Sequence, residues 1–216
     1  MIFNLSKTNS VATIFLNELR DVTIQRDALR FRTNLRRLGQ IIGYEASKSI
    51  KFSGFDVQTP LGVCNSSTIA DELVIATILR AGLPMHTGVL DYFDYAESAF
   101  ITAYRKYHKS GEFDIKLEYV VTPHLNDKVL ILCDPMLATG ASVIAALDAI
   151  KQYGPPKFIY VLSVIASSEA ISAIKVYDSN IHIYTGAIDE ELTAKGYIVP
   201  GLGDAGDLAY GPKIDL

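Results

Sequence analysis

Short apolar runs alternate with segments of helical periodicity along most of the chain. Leu73–Leu79, Val129–Cys133 and Phe158–Ala166 are almost wholly apolar, which is typical of strands buried on both faces of a parallel sheet. Ile181–Tyr184 is a shorter run of the same kind, and residues 113–121 alternate between apolar and polar side chains. These segments predict the strands of a sheet.

Segments with a helical spacing of apolar residues lie between these strands. The longest covers residues 26–47, a second covers residues 168–176, and Pro84 suits the first turn of a helix that continues through Val89 and Leu90. In residues 26–47 the apolar positions are Leu29, Leu35, Leu38, Ile42 and Ala46. Strands that alternate with helices predict an α/β fold, in which helices flank a central parallel sheet.

The composition fits one globular domain spanning residues 1–216, with an N-terminal helical segment over about residues 1–50. The 216 residues are 49% hydrophobic with a mean hydropathy of +0.21, which provides enough apolar side chain for a buried core. A net charge of −4 and a pI near 5.6 exclude an overall basic field of the kind that draws proteins to nucleic acid.

The cysteines and the length of the apolar runs indicate the cellular compartment of the protein. Cys64 and Cys133 lie far apart and neither belongs to a C-x-x-C pair, which fits a reducing compartment. Cys133 ends an apolar run and is predicted to be a buried core residue. No apolar run approaches the ~20 residues that cross a membrane, and the N-terminus lacks a signal-peptide pattern. We therefore expect a cytoplasmic protein without a membrane anchor.

The segment Val129–Ala146, VLILCDPMLATGASVIAA, carries the clearest chemical pattern. Its predicted strand ends at Asp134, a loop of small residues follows over residues 136–142, and a helical pattern then begins. The first N–H groups of a helix have no partner within it, so a helix that follows such a loop can bind a phosphate. The same residue types also serve as ordinary helix caps. The pattern alone leaves phosphate binding and a plain strand-to-helix turn both open.

Three segments together resemble one enzyme family. DPMLATG, residues 134–140, is similar to the loop that binds phosphoribosyl pyrophosphate (PRPP) in type I phosphoribosyltransferases, in the form that uracil-specific members have. Tyr197–Asp207, YIVPGLGDAGD, resembles the uracil-binding loop of those members, and Ile78–Leu83, ILRAGL, resembles their pyrophosphate loop. The resemblance implies the type I phosphoribosyltransferase fold with a C-terminal base-binding loop over residues 197–211. It also implies transfer of the phosphoribosyl group of PRPP to N1 of uracil, which gives UMP and pyrophosphate.

The resemblance assigns residues to PRPP. The loop would hold the 5′-phosphate, Asp134 would accept hydrogen bonds from the ribose hydroxyls, and Arg80 and Arg105 would contact the pyrophosphate. Asp204 would face PRPP from the C-terminal loop. The implied PRPP-binding residues are Arg80, Arg105, Asp134, Pro135, Met136, Leu137, Ala138, Thr139, Gly140, Ala141, Ser142 and Asp204. The implied catalytic residues among them are Asp134, Arg80, Arg105 and Asp204.

The resemblance also implies how the base and the other partners bind. Ile198, Gly203 and Ala205 would read the uracil edge through main-chain groups, with Asp204 beside them. Mg²⁺ is implied as a cofactor bound mainly through PRPP and water. A homodimer or larger homo-oligomer is implied, and a nucleotide such as GTP is a candidate effector. The histidines, scattered along the chain, are predicted to be structural or exposed rather than metal ligands: His86, His108, His124 and His182.

Two alternatives and two departures from the family pattern accompany this interpretation. An RNA-binding pyrimidine regulator on the same fold is supported only by the arginines of residues 26–37, which otherwise form a solvated helix face. The acidic pI and the intact uracil loop argue against it. A phosphoribosyltransferase for another base, such as a purine, is the second alternative. The loop over residues 197–207 distinguishes it from a uracil enzyme. Ala141 stands where many members have glycine, and Leu208 stands where arginine is common.

Overall fold

The computed structural model describes residues 1–107 and 113–213, with side chains described in both ranges except at residues 104–107 and 113–116. Its helices are α1 (Val11–Arg20), α2 (Ala28–Ser47), α3 (Gly82–Leu90), α4 (Ala141–Ile150), α5 (Ser168–Tyr177) and α6 (Ala205–Tyr210). Its strands are β1 (Ile2–Asn4), β2 (Phe52–Thr59), β3 (Gly62–Ile69), β4 (Leu73–Leu79), β5 (Glu97–Tyr107), β6 (Phe113–Val121), β7 (Val129–Cys133), β8 (Met136–Leu137), β9 (Phe158–Ser167), β10 (His182–Asp189), β11 (Glu191–Leu192) and β12 (Ile198–Val199). None of the helices within these described ranges combines the length and apolarity needed to cross a membrane.

The central sheet has the strand order β1-β10-β9-β7-β4-β5-β6, and β8 also pairs with β9. Every neighbouring pair in this order is parallel except β5 and β6. The predicted α/β fold is confirmed, with the correction that the edge strand β6 runs antiparallel. Too few residues lie between Tyr107 and Phe113 for the crossover that a parallel pair requires. β11 pairs with β12, and β2 and β3 form a separate hairpin.

The apolar pattern placed most of the central elements correctly. β4 and β7 have the predicted bounds, and β9 and β10 continue beyond the predicted runs to Ser167 and Asp189. α2, α3 and α5 cover the predicted helical segments. The pattern did not predict the β2–β3 hairpin, because both of its strands are exposed along nearly their whole length. A strand without a buried face has no apolar alternation to mark it.

Apolar side chains fill both faces of the sheet, because successive residues of a strand point to opposite sides. Ile75 and Ile131 belong to a cluster that includes residues of α1, α2 and α3. Val74 and Leu130 belong to a second cluster, which includes residues of α4 and α5. All four side chains are fully buried. Helices on both faces explain why β4 and β7 are continuously apolar in sequence.

The buried face of α2 differs from the predicted one at its first position. Leu29 is 68% exposed, whereas the other predicted apolar positions are buried. Phe31 packs in the core instead, in the same cluster as Leu35 and Leu38. Residues 31, 35 and 38 follow the spacing of one helix face, while residue 29 lies on nearly the opposite side. The prediction was wrong at Leu29. Helical spacing alone does not decide whether Leu29 or Phe31 belongs to the buried face.

We expect Leu35→Ala to destabilise the protein far more than Leu29→Ala. Leu35 is fully buried between α2 and the sheet, so its truncation leaves a cavity and should cost about 2–5 kcal/mol of unfolding free energy. Leu29→Ala removes an exposed side chain and should cost less than about 0.5 kcal/mol. Equilibrium urea denaturation of both variants measures the difference. Equal losses would contradict the assignment of the buried face.

Candidate active site

The loop after β7 leads from the centre of the sheet into α4. Cys133, the last residue of β7, is buried, and burial raises the pKa of its thiol far above the ordinary range, with the neighbouring Asp134 adding to the shift. Cys133 is therefore confirmed as a core residue. Asp134 is only partly buried, and its N–H donates to the Leu162 carbonyl at 3.1 Å. The sheet thus fixes the backbone of Asp134 at the carboxyl end of β7.

A small polar pocket with a free volume of about 30 Å³ opens beside Asp134. It is lined by Asp134, Met136, Leu137, Ala138, Thr139, Gly140, Ala141, Ser142 and Val143. The first turn of α4 forms one wall, and the N-cap residue of this helix, Gly140, has no side chain to cap it. The positive end of the helix dipole therefore faces the pocket, which favours an anion.

Gly140 gives this loop its shape. It precedes α4 with a φ of 78°, a left-handed conformation that glycine adopts without steric cost. A Cβ at this position would lie 3.2 Å from the Ala170 carbonyl oxygen. The N–H of Ala141 donates to Thr139 Oγ1 at 3.3 Å, and Ala141 begins α4 without a positive φ. Alanine in place of the glycine common in the family therefore causes no backbone strain.

Pro135 holds the loop against the sheet rather than lining the pocket. It is buried, and its carbonyl accepts hydrogen bonds from the N–H groups of Val164 and Ile165 at 3.1 and 3.0 Å. Leu137 lies next to it in β8 and is also buried. The predicted apolar face of α4 packs on the same side of the sheet: Val143, Ala146, Leu147 and Ile150. The pocket is therefore supported by the core beneath it.

Arg80 follows β4, which is the parallel neighbour of β7, so Arg80 and Asp134 both follow strand ends at the same edge of the sheet. A Cβ on Gly82 would lie 3.1 Å from the Cys133 carbonyl oxygen, so the loop after β4 approaches β7 closely. The Leu79–Arg80 peptide bond is cis. The Arg80 side chain is 43% exposed, and its Nη2 donates to Asp207 Oδ1 at 3.0 Å. This ion pair joins the predicted pyrophosphate loop to the C-terminal loop.

The predicted loop over residues 197–211 contains strand β12 and the short helix α6, which Asp204 caps. Asp204 Oδ1 accepts a hydrogen bond from the Asp207 N–H at 3.0 Å, and its Oδ2 accepts one from Lys213 Nζ at 2.9 Å. Burial acts to raise the pKa of Asp204, but the Lys213 ammonium and the N–H groups of α6 outweigh it and hold the pKa below its ordinary value. The carboxylate is therefore an anion that stabilises this loop. Its predicted contact with PRPP stays a prediction.

The predicted uracil-binding residues differ in exposure. Ile198 and Ala205 are buried, whereas Gly203 is exposed and has a φ of 89°. Leu208, which stands where the family commonly has arginine, is partly buried and packs against the core. A Cβ on Gly203 would lie 3.6 Å from Leu208 Cδ1. The main chain at Gly203 is therefore accessible, as are Tyr197, Val199 and Pro200 earlier in the loop.

Comparison with known proteins identifies the family. A sequence model of uracil phosphoribosyltransferase matches residues 6–212, which is nearly the whole chain. The chain belongs to the uracil phosphoribosyltransferase family. The matched range contains the Asp134–Ser142 pocket, Arg80 and the C-terminal loop.

Individual relatives agree with this family. A uracil phosphoribosyltransferase of Porphyromonas gingivalis is 50% identical over 214 residues, covering 99% of each chain. One of Pyrococcus furiosus is 37% identical over 204 residues, covering 93% of this chain and 86% of the relative. The solved structure of the AQ2163 protein from Aquifex aeolicus superposes with a TM-score of 0.87 at 32% identity, covering 100% of both chains.

Two predicted residues lie outside what is described at the level of side chains. Arg105 is in β5, paired with Ile115 of β6, and its side chain is among those that the structure does not describe. Its contact with pyrophosphate stays a prediction. His108 lies outside the described residues altogether.

The other three histidines do not line the Asp134–Ser142 pocket. His86 is buried with Nε2 3.1 Å from the Ile75 carbonyl oxygen, and burial lowers its pKa. The His182 ring packs edge-on against Phe158, and His124 is exposed. Within residues 1–107 and 113–213, no three His, Cys, Asp or Glu residues are grouped so as to hold a metal ion.

Several charged residues that the sequence did not mark as functional hold the C-terminal loop of this family member. Arg20 pairs with Asp189 at 2.8 Å, and Arg32 Nη1 donates to the Ala209 carbonyl at 2.6 Å. The partners are 169 and 177 residues apart. No local pattern links such residues, although Arg20 and Arg32 are visible in sequence as arginines of the N-terminal helices.

Proposed function

We propose that this protein transfers the phosphoribosyl group of PRPP to N1 of uracil, which gives UMP and pyrophosphate. One observation carries the proposal: the Asp134–Ser142 pocket and Arg80 follow the carboxyl ends of β7 and β4, which are adjacent parallel strands, and Arg80 pairs with Asp207 near the C-terminus. Ligands of open α/β sheets bind at this edge. The relatives named uracil phosphoribosyltransferase supply the substrates.

The pocket is the proposed 5′-phosphate site. The N-terminus of α4 and the loop over residues 136–142 offer backbone N–H groups, and Thr139 and Ser142 add hydroxyl donors. All of these groups are neutral, so the helix dipole provides the positive potential. Gly140 lets the backbone approach a phosphate closely. Pro135 supports the loop from behind, so its part in PRPP binding is indirect.

Asp134, Arg80, Arg105 and Asp204 are the proposed catalytic residues. As pyrophosphate leaves, positive charge develops on the ribose near C1′, and the Asp134 carboxylate stabilises it while accepting hydrogen bonds from the ribose hydroxyls. Negative charge develops on the leaving group, where the guanidinium groups of Arg80 and Arg105 stabilise it. Uracil N1 bonds to C1′ as the bond to pyrophosphate breaks, and the proton of N1 is lost to solvent.

Uracil is proposed to bind through the main chain of the C-terminal loop. Ile198, Gly203 and Ala205 supply backbone donors and acceptors, and Asp204 fixes the turn into α6. Uracil and cytosine differ in their donors and acceptors at N3 and position 4. A site whose buried groups pair with uracil leaves those groups unsatisfied with cytosine, so it rejects cytosine.

Mg²⁺ is proposed to accompany PRPP. The pocket offers one carboxylate, from Asp134, together with the hydroxyl groups of Thr139 and Ser142. That donor set fits an ion that binds through one or two carboxylates, substrate phosphates and water. When bound, the ion neutralises charge on the departing pyrophosphate. Asp134 would then accept hydrogen bonds both from the ribose hydroxyls and from water bound to the ion.

The assembly and location of the protein extend the proposal. We infer that residues 1–216 act as one domain, because β1 at the start of the chain pairs with β10 in the main sheet.

Exposed apolar side chains on the β2–β3 hairpin support a homodimer or larger homo-oligomer: Phe52, Phe55, Val57, Leu61 and Val63. The free thiols of Cys64 and Cys133 fit a reducing cytoplasm. GTP as an effector rests on the family resemblance alone.

The RNA-binding alternative loses most of its local support in the structure. Four of the five arginines that suggested it have partners within the molecule: Glu18 for Arg30, the Ala209 carbonyl for Arg32, Asp91 for Arg36 and Asn34 for Arg37. The fifth, Arg26, is exposed just before α2. The first three of these contacts fix α2 to α1, α3 and α6 rather than presenting a free basic face. Phosphoribosyl transfer is therefore the function that the geometry supports best.

Pyrophosphate release from PRPP tests the proposed function. Uracil, cytosine, hypoxanthine and orotate are offered separately to the purified protein with Mg²⁺. We expect release with uracil and formation of UMP, and none with the other bases. Release with hypoxanthine instead would overturn the uracil assignment and favour a purine phosphoribosyltransferase.

We expect Arg80→Ala to raise the KM for PRPP by about 10- to 100-fold, because it removes a charged hydrogen-bond donor from the leaving group. Asp207→Asn is the matched control, since it weakens the Arg80–Asp207 ion pair but keeps the guanidinium. That variant should leave the KM for PRPP nearly unchanged. Steady-state kinetics with both substrates varied measures the difference. If Arg80→Ala changes only the KM for uracil, Arg80 serves the C-terminal loop and not pyrophosphate.

A further inference from the structure

Arg20, the last residue of α1, reaches across to the C-terminal loop and to the sheet at once. Its Nη1 and Nη2 donate to Asp189 Oδ2 and Oδ1, both at 2.8 Å. The same Nη1 donates to the Gly201 carbonyl at 3.0 Å. A guanidinium can make these contacts together because its donors lie in one fixed plane.

Asp189 gives this contact a rigid base. It is the last residue of β10, in register with Ser167 of β9, and its side chain is only 6% exposed. Besides the two bonds from Arg20, Asp189 Oδ2 accepts a hydrogen bond from the Gly201 N–H at 3.0 Å. The buried carboxylate therefore accepts three hydrogen bonds, two from the Arg20 side chain and one from the Gly201 N–H.

Both backbone groups of Gly201 are therefore held, the N–H by Asp189 and the carbonyl by Arg20. Gly201 lies between Ile198 and Gly203, two residues that we propose to meet uracil. The N-terminal segment also approaches the loop at a second point. Gln25 Nε2 donates to the Arg20 carbonyl at 3.1 Å, and Gln25 Oε1 lies 3.7 Å from where a Gly203 Cβ would be.

We infer that the Arg20–Asp189 pair positions the base-binding loop and thereby sets the affinity for uracil. Arg20 and Asp189 act through the Gly201 peptide and are positioning residues, not catalytic ones. Neither residue lines the phosphate pocket, so the contacts of the 5′-phosphate at Asp134–Ser142 do not depend on them. Asp204, the loop residue proposed to face PRPP, is held by its own bonds to the Asp207 N–H and to Lys213. The inference rests on the proposed function, because it needs the loop to be the uracil site.

Arg20→Lys tests the inference with the fold preserved. Lysine keeps a positive charge beside the buried Asp189, but its point charge cannot hold both carboxylate oxygens and the Gly201 carbonyl. We expect the KM for uracil to rise about 10- to 100-fold, because displacement of a binding group by about 1 Å has effects of that size. The PRPP affinity from calorimetry and the melting temperature should stay close to wild type. Asp189→Asn should likewise raise the KM for uracil and leave the PRPP affinity unchanged.

Arg36→Lys is the matched control, because Arg36 also binds a carboxylate with two nitrogens, that of Asp91, away from the loop. Arg36→Lys should change neither the KM for uracil nor the PRPP affinity. An unchanged KM for uracil in Arg20→Lys overturns the inference, as does a parallel loss of PRPP and uracil affinity. If Asp189→Asn does not fold, Arg20→Lys decides alone. A wild-type protein inactive with uracil refutes the proposed function instead, since every comparison here starts from wild-type turnover.

Discussion

Asp134→Asn is expected to lower kcat by about 10²–10³-fold, the usual effect of losing one electrostatic contact with a transition state. The substitution keeps the shape of the side chain and removes its charge. Asp134 lies at the end of β7, and its N–H is held by Leu162, so the backbone should not move. Folding should therefore be preserved, and the loss should appear in turnover more than in PRPP affinity.

Asp148→Asn is the control for Asp134→Asn. Asp148 lies at the opposite end of α4, where it pairs with Lys151 on the surface. Asp148→Asn removes the same charge as Asp134→Asn from a residue that does not line the pocket, so its kcat should equal that of wild type. Steady-state kinetics and thermal unfolding are compared for both variants. An unchanged kcat in Asp134→Asn would show that Asp134 has no part in stabilising the ribose.

The fold was predictable from sequence where burial leaves a continuous pattern. β4 and β7 are covered by helices on both faces, so their apolar runs have clear ends and the predicted bounds are the observed ones. The β2–β3 hairpin has no buried face and gives no such pattern. The direction of β6 was not predictable from alternation, because a strand has the same period in either direction.

The site was predictable to the extent that it is contiguous in sequence. Residues 136–142 lie between the end of β7 and the first turn of α4, and all of them line the observed pocket, although the first two form the short strand β8 and the last two begin α4. Pro135 is the exception, because its carbonyl faces β9 and no sequence pattern records which way a peptide group points. The contacts of Arg20 and Arg32 join segments from opposite ends of the chain. The packing of the N-terminal helices beside β10 and α6 brings them together.

Gly203→Val is expected to abolish uracil transfer while PRPP still binds. Gly203 has a φ of 89°, and a Cβ there would meet nothing closer than 3.6 Å. The cost is therefore backbone strain, about 1–2 kcal/mol for a residue with a Cβ and more for a β-branched one. Relief of that strain moves the main chain of the loop, and the main chain is what we propose to read uracil. The phosphate pocket is formed by other residues and should keep its affinity.

Gly62→Val provides the matched control for Gly203→Val. Gly62 also has a positive φ, 156°, with nothing within 4 Å of an added Cβ, but it lies at the turn of the β2–β3 hairpin. It should impose backbone strain without affecting either substrate. Calorimetry with PRPP and the uracil assay are run on the same preparation of each variant. Loss of both functions in Gly203→Val would indicate general damage, and near-normal activity would mean that uracil is recognised elsewhere. Loss of uracil transfer alone, with Gly62→Val active, places base recognition in the backbone around Gly203.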